Sequence, residues 1–140
     1  MRALNVYEKH KKGISEIKRN QKHKPIYDSL IIGLTTSRED LYNRIDHRID
    51  LMIKDGLIEE IENLLNKGIT FENQCMQGIG YKEFKDYFNS NKELAECIEQ
   101  VKVNSHHFAK RQYTFFNNQM QIEWFEDKKT AHERISQWLI

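Results

Sequence analysis

The sequence predicts a mostly α-helical chain that carries two short strands. Apolar residues recur at helical spacing over most of its length, whereas the two segments with strand character, residues 29–34 and 121–125, are short and far apart in sequence. Two strands alone form a marginal sheet, because stable sheets usually have three or more strands or a helical cover. The pattern therefore predicts that another segment completes the sheet.

The composition is that of one globular domain or one piece of a larger domain. Charged residues make up 31% of the 140 residues and hydrophobic residues 39%, with 7 Phe, 6 Tyr and 2 Trp, so the chain has ample aromatic residues for a packed core. Its 22 Lys and Arg balance 21 Asp and Glu, which leaves a net charge of +1. This balance gives no global attraction to nucleic acid or membranes, so any basic surface must be local.

No segment predicts a membrane or secretory destination. The first ten residues have no signal-peptide core, and no apolar run approaches the roughly 20 residues of a membrane helix. Cys75 and Cys97 have no metal-like spacing, and two thiols in a chain of this size fit a reducing cytosol. We therefore expect a cytoplasmic protein with no membrane partner, in which both cysteines are ordinary, partly buried thiols.

The first elements are two predicted helices, at residues 2–12 and 14–21, with Gly13 between them. Residues 3–7 already follow helical spacing with no capping residue before them, which is how a truncated chain would look. A strand at residues 29–34 follows. Its continuous apolar run predicts burial on both faces, as in a parallel sheet.

The remaining elements are mainly helices. Thr35, Thr36 and Ser37 are helix-capping types, and the helix that they open is predicted to end at Gly56, before a second helix that ends at Gly68. Further helices are predicted at residues 81–88, 92–116 and 129–139, with an edge strand at 121–125. The apolar stripes predict core faces; in the first two helices after the strand they are Leu41, Ile45, Ile49, Met52, Ile53, Leu57, Ile58, Ile61, Leu64 and Leu65.

Three arginines follow the first predicted strand. Arg44 and Arg48 are four residues apart, so both guanidinium groups leave one helix face, and Arg38 lies in the first turn beside free backbone amides. Forked donors and helix-terminal amides suit a diphosphate. The alternative is a solvated face in which Asp46 and Asp50 form intrahelical salt bridges with these arginines.

Residues 77–83 (QGIGYKE) form a second candidate site. Gly78 and Gly80 allow a backbone to approach a ligand closely, while Tyr81 and Lys82 offer a ring and a cation. The segment lacks the spacing of the known phosphate loops. A tight turn that caps a helix is the alternative.

Residues 106–117 (HHFAKRQYTFFN) interleave cations, amides and aromatic rings at the end of the predicted long helix. This mixture is typical of a surface that neutralises phosphates and stacks on unpaired bases. The alternative is that Phe108, Phe115 and Phe116 belong to the core.

No residue stands out as a catalytic base. Asp46, Asp50, Glu59 and Glu60 lie on polar faces, where solvated carboxylates are expected. The histidines have no cysteine or carboxylate at ligand spacing, so no structural metal is expected.

Five segments occur in an order that resembles the tRNA dimethylallyltransferase family. They are residues 2–7 (RALNVY), Leu41 with Arg44, Ile45 and Arg48, residues 55–60 (DGLIEE), residues 78–83 (GIGYKE) and residues 109–116 (AKRQYTFF). The resemblance spans about residues 2–127. It implies an α/β core of the P-loop kinase type, which is a nucleotide-binding and ATP-binding fold, together with Mg²⁺.

The resemblance also implies an activity and partners. The family transfers a dimethylallyl group from dimethylallyl diphosphate to the N6 amine of the adenosine 3′-adjacent to the anticodon. Residues 1–140 would be the C-terminal part of such a core, without the N-terminal P-loop part and its catalytic base, and inactive alone. The expected partners are the tRNA anticodon stem-loop, dimethylallyl diphosphate and the missing N-terminal half of a monomeric parent enzyme.

The resemblance assigns roles to individual positions. Arg38, Arg44 and Arg48 fall where a kinase-like lid would hold diphosphate. Many members have a tryptophan and a basic residue where Phe115–Asn117 stands here, and some have arginine at the position of Gln77. The positions that match tRNA-contacting segments are Gln77, Gly78, Ile79, Gly80, Tyr81, Lys82, Lys110, Arg111, Gln112, Tyr113, Thr114, Phe115, Phe116 and Asn117.

Two other functions remain open at this point. One is a non-catalytic helical RNA-binding module that uses the same basic and aromatic helix. The other is a P-loop kinase-like lid segment whose arginines serve nucleotide phosphates.

Overall fold

A computed structural model describes residues 6–9, 11–13, 15–16 and 27–139. Residues 6–9 and 15–16 are helical, within the helices predicted at 2–12 and 14–21. The rest of those two predicted helices, and most of the matching segment at residues 2–7, lies outside the described residues.

The described elements confirm a mostly helical chain with two short strands. The helical part also contains two short 3₁₀ turns, Gln74–Gln77 and Lys82–Phe84. In chain order the strands and α-helices are β1 (Ile32–Leu34), α1 (Arg38–Lys54), α2 (Leu57–Asn66), α3 (Lys85–Phe88), α4 (Leu94–Gln119), β2 (Glu123–Phe125) and α5 (Lys128–Trp138).

Helix boundaries follow local capping. The Ser37 side chain accepts the Asp40 N–H at 3.0 Å and begins α1, as predicted. Helix α4 begins at Leu94 rather than at residue 92, because the extended Glu93 forms a capping box with Glu96. The predicted helix at 81–88 is wrong in part: its first turn is a 3₁₀ turn closed by the Phe84 N–H to the Tyr81 carbonyl at 3.0 Å, and only Lys85–Phe88 is α-helical.

The two strands pair with each other in parallel. Ile32, Gly33 and Leu34 lie opposite Glu123, Trp124 and Phe125 in that order, and α5 packs against both strands. The predicted strand at 29–34 is too long, since only its last three residues are paired. The predicted burial on both faces is also wrong: Leu34 is 53% exposed, because the described residues form a sheet of two strands with α5 as its helical cover.

The core lies between α1, α2, the two 3₁₀ turns and α4. Its fully buried side chains are Ile61 from α2, Met76 and Phe84 from the turns, and Cys97 from α4. The predicted stripes on α1 and α2 are confirmed as core faces, because Ile49, Leu57 and Ile61 are buried and most of the remaining residues pack against them; Leu41 is the exception, at 37% exposed. Met76 and Phe84 flank residues 77–83, so both ends of that loop are anchored in the core.

The expectation that both cysteines are partly buried is wrong. Cys97 lies on the core face of α4 at 1% exposure, where burial raises the pKa of its thiol. Cys75 is exposed, because its side chain leaves the outer side of a 3₁₀ turn whose neighbouring residue Met76 fills the core. No helix in the described ranges is long and apolar enough to span a bilayer.

Gly33 has a steric role in joining β1 to β2. A Cβ atom at this position would lie 2.4 Å from two ring carbons of Trp124 and 2.9 Å from Ile122 Cγ2. We predict that Gly33→Ala lowers the free energy of unfolding by about 1–3 kcal/mol, as overpacking does in other cores. Urea denaturation followed by tryptophan fluorescence measures the change.

Gly78→Ala is the matched control for this substitution. Gly78 has φ −67° and ψ 154°, which alanine adopts freely, and nothing lies within 4 Å of the position that a Cβ atom would occupy there. Equal stability of the Gly33→Ala and Gly78→Ala variants would show that the Trp124 ring moves aside without cost.

Candidate nucleic-acid interface

Helices α1 and α4 pack side by side in antiparallel directions. Asp46 Oδ1 lies 2.8 Å from His106 Nε2, and Asp50 Oδ1 lies 2.8 Å from Lys102 Nζ. The Tyr42 ring stacks on the His106 ring with a centroid distance of 4.0 Å. The two contacts are one turn apart on each helix. Asp46 precedes Asp50 on α1, whereas its partner His106 follows Lys102 on α4, so the helices run in opposite directions.

The prediction that Asp46 and Asp50 are solvated is confirmed for Asp50, whose side chain is 56% exposed, and is wrong for Asp46, whose Oδ1 is buried. Both oppose basic residues on α4, and the hydrogen bond from Lys102 to Asp50 raises the pKa of the Lys102 ammonium. Asp46 Oδ1 and His106 Nε2 are both buried and, despite their short separation, do not align as a hydrogen bond. This is a close electrostatic contact that becomes an ion pair when the imidazole is protonated.

The end of α4 continues past His106 and carries the predicted cation-aromatic segment. Lys110 and Arg111 are exposed, and within the described part of the chain neither lies within 4.0 Å of a carboxylate. The Arg111 Cζ lies 5.8 Å from the centroid of the Phe108 ring. Phe108, Tyr113 and Phe115 are exposed by 46%, 52% and 52%, so the alternative of a core role fails for Phe108 and Phe115. Phe108, Arg111 and Phe115 follow helical spacing along one side of α4, whereas Lys110 leaves another side.

Other residues of the same segment are held by the protein itself. Asn117 Oδ1 accepts the Trp124 indole N–H at 2.8 Å, and Tyr113 lies 5.7 Å from Trp124 between ring centroids. The Thr114 hydroxyl donates to the Lys110 carbonyl at 2.9 Å, and Phe116 is half-buried. These contacts fasten the last turns of α4 to β2 and leave Lys110, Arg111 and Gln112 as the open polar groups.

The loop at residues 77–82 is a tight turn with a left-handed glycine. Gly80 has φ +95°, and the Gly78 carbonyl accepts the N–H groups of Tyr81 and Lys82 at 3.2 Å. The Tyr81 hydroxyl donates to Glu60 Oε1 at 2.8 Å, which raises the pKa of Tyr81. The predicted stacking role of Tyr81 thus competes with this bond and with its packing on the core.

Two further loop residues differ in their availability. The Gln77 side-chain amide donates to the Phe71 carbonyl, so it is committed to the protein. Lys82 is 46% exposed along its side chain and lies 4.0 Å from Glu83. Gly78 is also exposed but has no side chain. Lys82 is therefore the main charged group that the loop presents to solvent.

Glu83 belongs to the predicted segment 77–83, but the sequence assigned no role to it. Its side chain is only 2% exposed, although it follows a lysine in a polar loop and would ordinarily be expected in solvent. Its carboxylate accepts the Gly80 N–H at 2.9 Å and the Asn104 amide at 2.8 Å. It therefore joins the loop to α4. The available signals were its place in the GIGYKE segment and its spacing of three residues after Gly80.

The three predicted diphosphate ligands lie elsewhere on α1. Arg44 and Arg48 are each two residues from Asp46, which places them about 200° around the helix axis from that α4-facing residue. Both are exposed, as is Arg38. Among the described residues no carboxylate lies within 4.0 Å of the three guanidinium groups, so the alternative of intrahelical salt bridges is not supported.

The described residues do not fit Mg²⁺ by themselves. They contain no group of three or more His, Cys, Asp and Glu side chains placed to hold an ion. Asp46 and Asp50 face His106 and Lys102 instead. No step is therefore assigned to a metal held by these side chains.

Cations and exposed rings at one helix end are a combination found in proteins that bind single-stranded nucleic acid. The family model described as IPP transferase matches residues 1–119. The chain belongs to the IPP transferase family.

The relatives share this assignment. The chain is 48% identical over 126 residues to a tRNA dimethylallyltransferase of Geobacillus thermodenitrificans, which covers 90% of this chain and 40% of the relative. It is 46% identical over 141 residues to a tRNA dimethylallyltransferase of Anoxybacillus flavithermus, which covers 99% of this chain and 45% of the relative. The chain thus spans less than half the length of these relatives.

Solved structures agree with the fold. The crystal structure of a tRNA Δ(2)-isopentenylpyrophosphate transferase from Staphylococcus epidermidis superposes with a TM-score of 0.72 at 37% identity, over 99% of this chain and 46% of that protein. A eukaryotic dimethylallyltransferase acting on tRNA superposes with a TM-score of 0.68 at 29% identity, over 99% of this chain and 38% of that protein. The α/β family fold expected from the sequence is thereby confirmed.

The contact between Asp50 and Lys102 predicts a pH dependence of stability. The folded-state pKa of Lys102 is raised above its ordinary value of 10.5, so the stabilisation is present below that value and is lost as pH rises through the folded-state pKa. We predict that Asp50→Asn costs about 0.5–1 kcal/mol at pH 8. The difference in the free energy of unfolding between wild type and Asp50→Asn should shrink above pH 10.5. Thermal denaturation at pH 8 and above pH 10.5 measures this difference.

The exposed α2 residue Glu62 supplies the control. Glu62→Gln removes the same charge from the surface and should leave the free energy of unfolding nearly unchanged at both pH values. A difference between wild type and Asp50→Asn that stays constant up to pH 12 would contradict the assigned ion pair.

Proposed function

We propose that this chain forms the tRNA-binding part of a tRNA dimethylallyltransferase. The whole enzyme would transfer a dimethylallyl group from dimethylallyl diphosphate to the N6 amine of the adenosine 3′-adjacent to the anticodon. In that reaction a bond forms between the amine nitrogen and the allyl carbon, the carbon–oxygen bond to diphosphate breaks with its electron pair leaving on diphosphate, and the amine loses a proton. The names of the relatives support this activity.

The observation that carries the proposal is the open end of α4. Lys110 and Arg111 have no carboxylate within 4.0 Å among the described residues, so their charge is available to neutralise phosphates. Phe108 and Phe115, on the same side of α4 as Arg111, expose about half of their side chains, and such rings stack on bases that have left a duplex. An anticodon loop offers both unpaired bases and closely spaced phosphates.

The donor diphosphate is assigned to the other cationic face. Arg44 and Arg48 leave α1 one turn apart, and Arg38 lies in the first turn beside Glu39 and Asp40. Forked guanidinium groups would bind the diphosphate and stabilise the charge that develops as it leaves. Mg²⁺, where bound, would neutralise further diphosphate charge, and none of the described residues is assigned to hold it.

The location of the working enzyme also belongs to the proposal. We assign it to the cytoplasm, where tRNA is modified, as a monomer that uses one α4 end for each stem-loop. Two features favour the cytoplasm: the nearly equal numbers of basic and acidic residues, and the two free thiols, of which Cys97 is buried.

The RNA assignment is tested with the 140-residue chain and a fluorescent anticodon stem-loop. We predict that Lys110→Ala/Arg111→Ala weakens binding about tenfold at 100 mM salt, because two phosphate contacts are lost. The slope of log K against log[salt] should become shallower by about 1.5, since each contact contributes about 0.7–0.9. Fluorescence anisotropy at four salt concentrations measures both quantities.

Lys54→Ala/Lys67→Ala is the matched control for charge. Both lysines are exposed, and Lys54 lies two turns beyond Asp46 on α1, about 12 Å along its axis and away from the α4 end. This variant should lose less than threefold in affinity. The RNA assignment fails if the two double variants weaken binding equally, or if the wild-type chain does not bind the stem-loop.

The diphosphate assignment is tested in a hybrid enzyme. Residues 1–140 replace the matching 46% of the Staphylococcus epidermidis enzyme, and transfer of radiolabel from dimethylallyl diphosphate to tRNA is measured. We predict that Arg44→Ala/Arg48→Ala raises KM for dimethylallyl diphosphate at least about tenfold, because guanidinium–phosphate bonds are charge-assisted. KM for tRNA should change less than threefold, since these arginines lie on the opposite side of α1 from α4.

The same hybrid separates the competing functions. A hybrid that binds tRNA without transferring label would favour a binding module, and transfer of phosphate instead of the allyl group would favour a kinase-like lid. Equal effects of Arg44→Ala/Arg48→Ala on both KM values would remove the assignment of these arginines to the donor.

A further inference from the structure

We propose that Glu83 and Asn104 form a polar clamp that positions the 77–82 loop against α4, so that the cation of the loop and the cations of the α4 end form one binding surface. Both are positioning residues rather than RNA ligands. The inference rests on the proposed function, because the surface that it organises is the proposed tRNA interface.

The contacts of the clamp run in one chain of hydrogen bonds. Gln100 donates its amide to Asn104 Oδ1 at 3.1 Å, and Asn104 Nδ2 donates to Glu83 Oε1 at 2.8 Å. The second oxygen, Glu83 Oε2, accepts the Gly80 N–H at 2.9 Å. Each carboxylate oxygen therefore has a partner, which a carboxylate at 2% exposure requires.

This chain of bonds reaches the middle of the loop, where Ile79 and Tyr81 also pack against the core. Met76 and Phe84 anchor the two ends of the loop at 0% exposure, whereas Gly80 lies between them in a left-handed conformation at φ +95°. The Gly80 N–H is fixed by Glu83, and Tyr81 and Lys82 follow directly. The clamp thus sets the direction in which Lys82 leaves the turn.

The helical register connects the clamp to the cationic end of α4. Asn104 and Arg111 are seven residues apart, which is two turns, so they share one face of α4 about 10 Å apart along the axis. Phe108 lies on the same face, one turn from each. A loop fastened at Asn104 therefore presents Lys82 along the line that leads to Phe108 and Arg111.

Glu83 itself is excluded from contact with RNA. Its side chain is almost fully covered, and its negative charge would repel a phosphate. The nearest cation is Lys82 Nζ, 4.0 Å from Glu83 Oε1, and this separation leaves the ammonium free to bind a second anion. The carboxylate therefore acts by holding the loop and by keeping its cation close to α4.

A charge-preserving swap tests the clamp. In Glu83→Gln/Asn104→Asp the new glutamine oxygen accepts the Gly80 N–H as the carboxylate did. The glutamine amide donates to the new aspartate, so the bond between positions 83 and 104 reforms with donor and acceptor exchanged. Asn104→Asp alone places two carboxylates in contact. Glu83→Gln alone leaves one acceptor oxygen for the two N–H groups that the wild-type carboxylate accepts. The net charge of the double variant equals that of the wild type, which removes bulk charge as an explanation.

Binding of the anticodon stem-loop by the 140-residue chain gives the first readout. We expect Asn104→Asp to weaken binding about tenfold and Glu83→Gln about threefold, while the double variant returns to within about twofold of wild type. Lys82→Ala should reduce the salt slope by about 0.7–0.9, because one phosphate contact is lost. The slope should fall toward that of Lys82→Ala in Asn104→Asp and Glu83→Gln, where Lys82 is no longer directed to the phosphate, and return to the wild-type value in the double variant.

Amide hydrogen exchange gives a second readout that does not depend on RNA. The Gly80 amide should exchange at least about tenfold faster in Asn104→Asp and Glu83→Gln, and return to the wild-type rate in the double variant. Without this recovery at Gly80 the clamp is wrong, whether or not the chain binds RNA. Recovery at Gly80 without binding by the wild-type chain would leave the clamp intact and reject the proposed function instead.

Recovery of exchange without recovery of affinity would also overturn the inference. It would show that the bonds hold the loop but that the position of the loop does not matter to RNA. Melting temperatures of the four proteins accompany both readouts, so that a loss of affinity caused by unfolding is recognised directly.

Discussion

The contact between α1 and α4 is the constraint on which the arrangement of the two cationic surfaces depends. It combines apolar packing, through Ile49 on α1 and Val101 on α4, with the ion pair of Asp50 with Lys102 and the close contact of Asp46 with His106. Because the acids occupy the side of α1 that faces α4, Arg44 and Arg48 are directed to the other side. The same pairing ends at His106, beyond which α4 contacts β2 through Tyr113 and Asn117 and leaves Lys110 and Arg111 exposed.

Much of the fold could be predicted from local sequence. The stripes on α1 and α2, the Ser37 cap and the pair of short strands each depend on residues that are close in the chain. The contact of Asp46 with His106 could not be predicted in this way, since the two residues are far apart in the chain and either partner alone is typical of a solvated helix face. The exposure of Leu34 was missed for the opposite reason: an apolar run reports a preference for burial, and the number of neighbouring strands decides whether burial occurs.

The candidate interface was predictable as a segment but not residue by residue. Lys110, Arg111 and Phe108 are open because they face away from the body of the protein, whereas Asn117 faces Trp124 and gives up its acceptor to the indole. Residue type cannot separate these outcomes within one contiguous motif. Tyr81 shows the same limit, because its hydroxyl finds Glu60 on α2, a partner that becomes visible only when α2 is placed beside the loop.

The two cationic surfaces differ in a way that matches their proposed ligands. The α1 surface has guanidinium groups one turn apart, and rings take no part in its close contacts; such a group suits a compact anion that accepts several forked donors at once. The α4 surface spreads single cations among half-exposed rings, which suits an extended polyanion with flat bases. Since α1 and α4 share a core and two charged contacts, neither surface can rotate without the other. A chain built this way would fix the distance between donor and acceptor before either ligand arrives, and catalysis gains most when reacting groups are held in place beforehand.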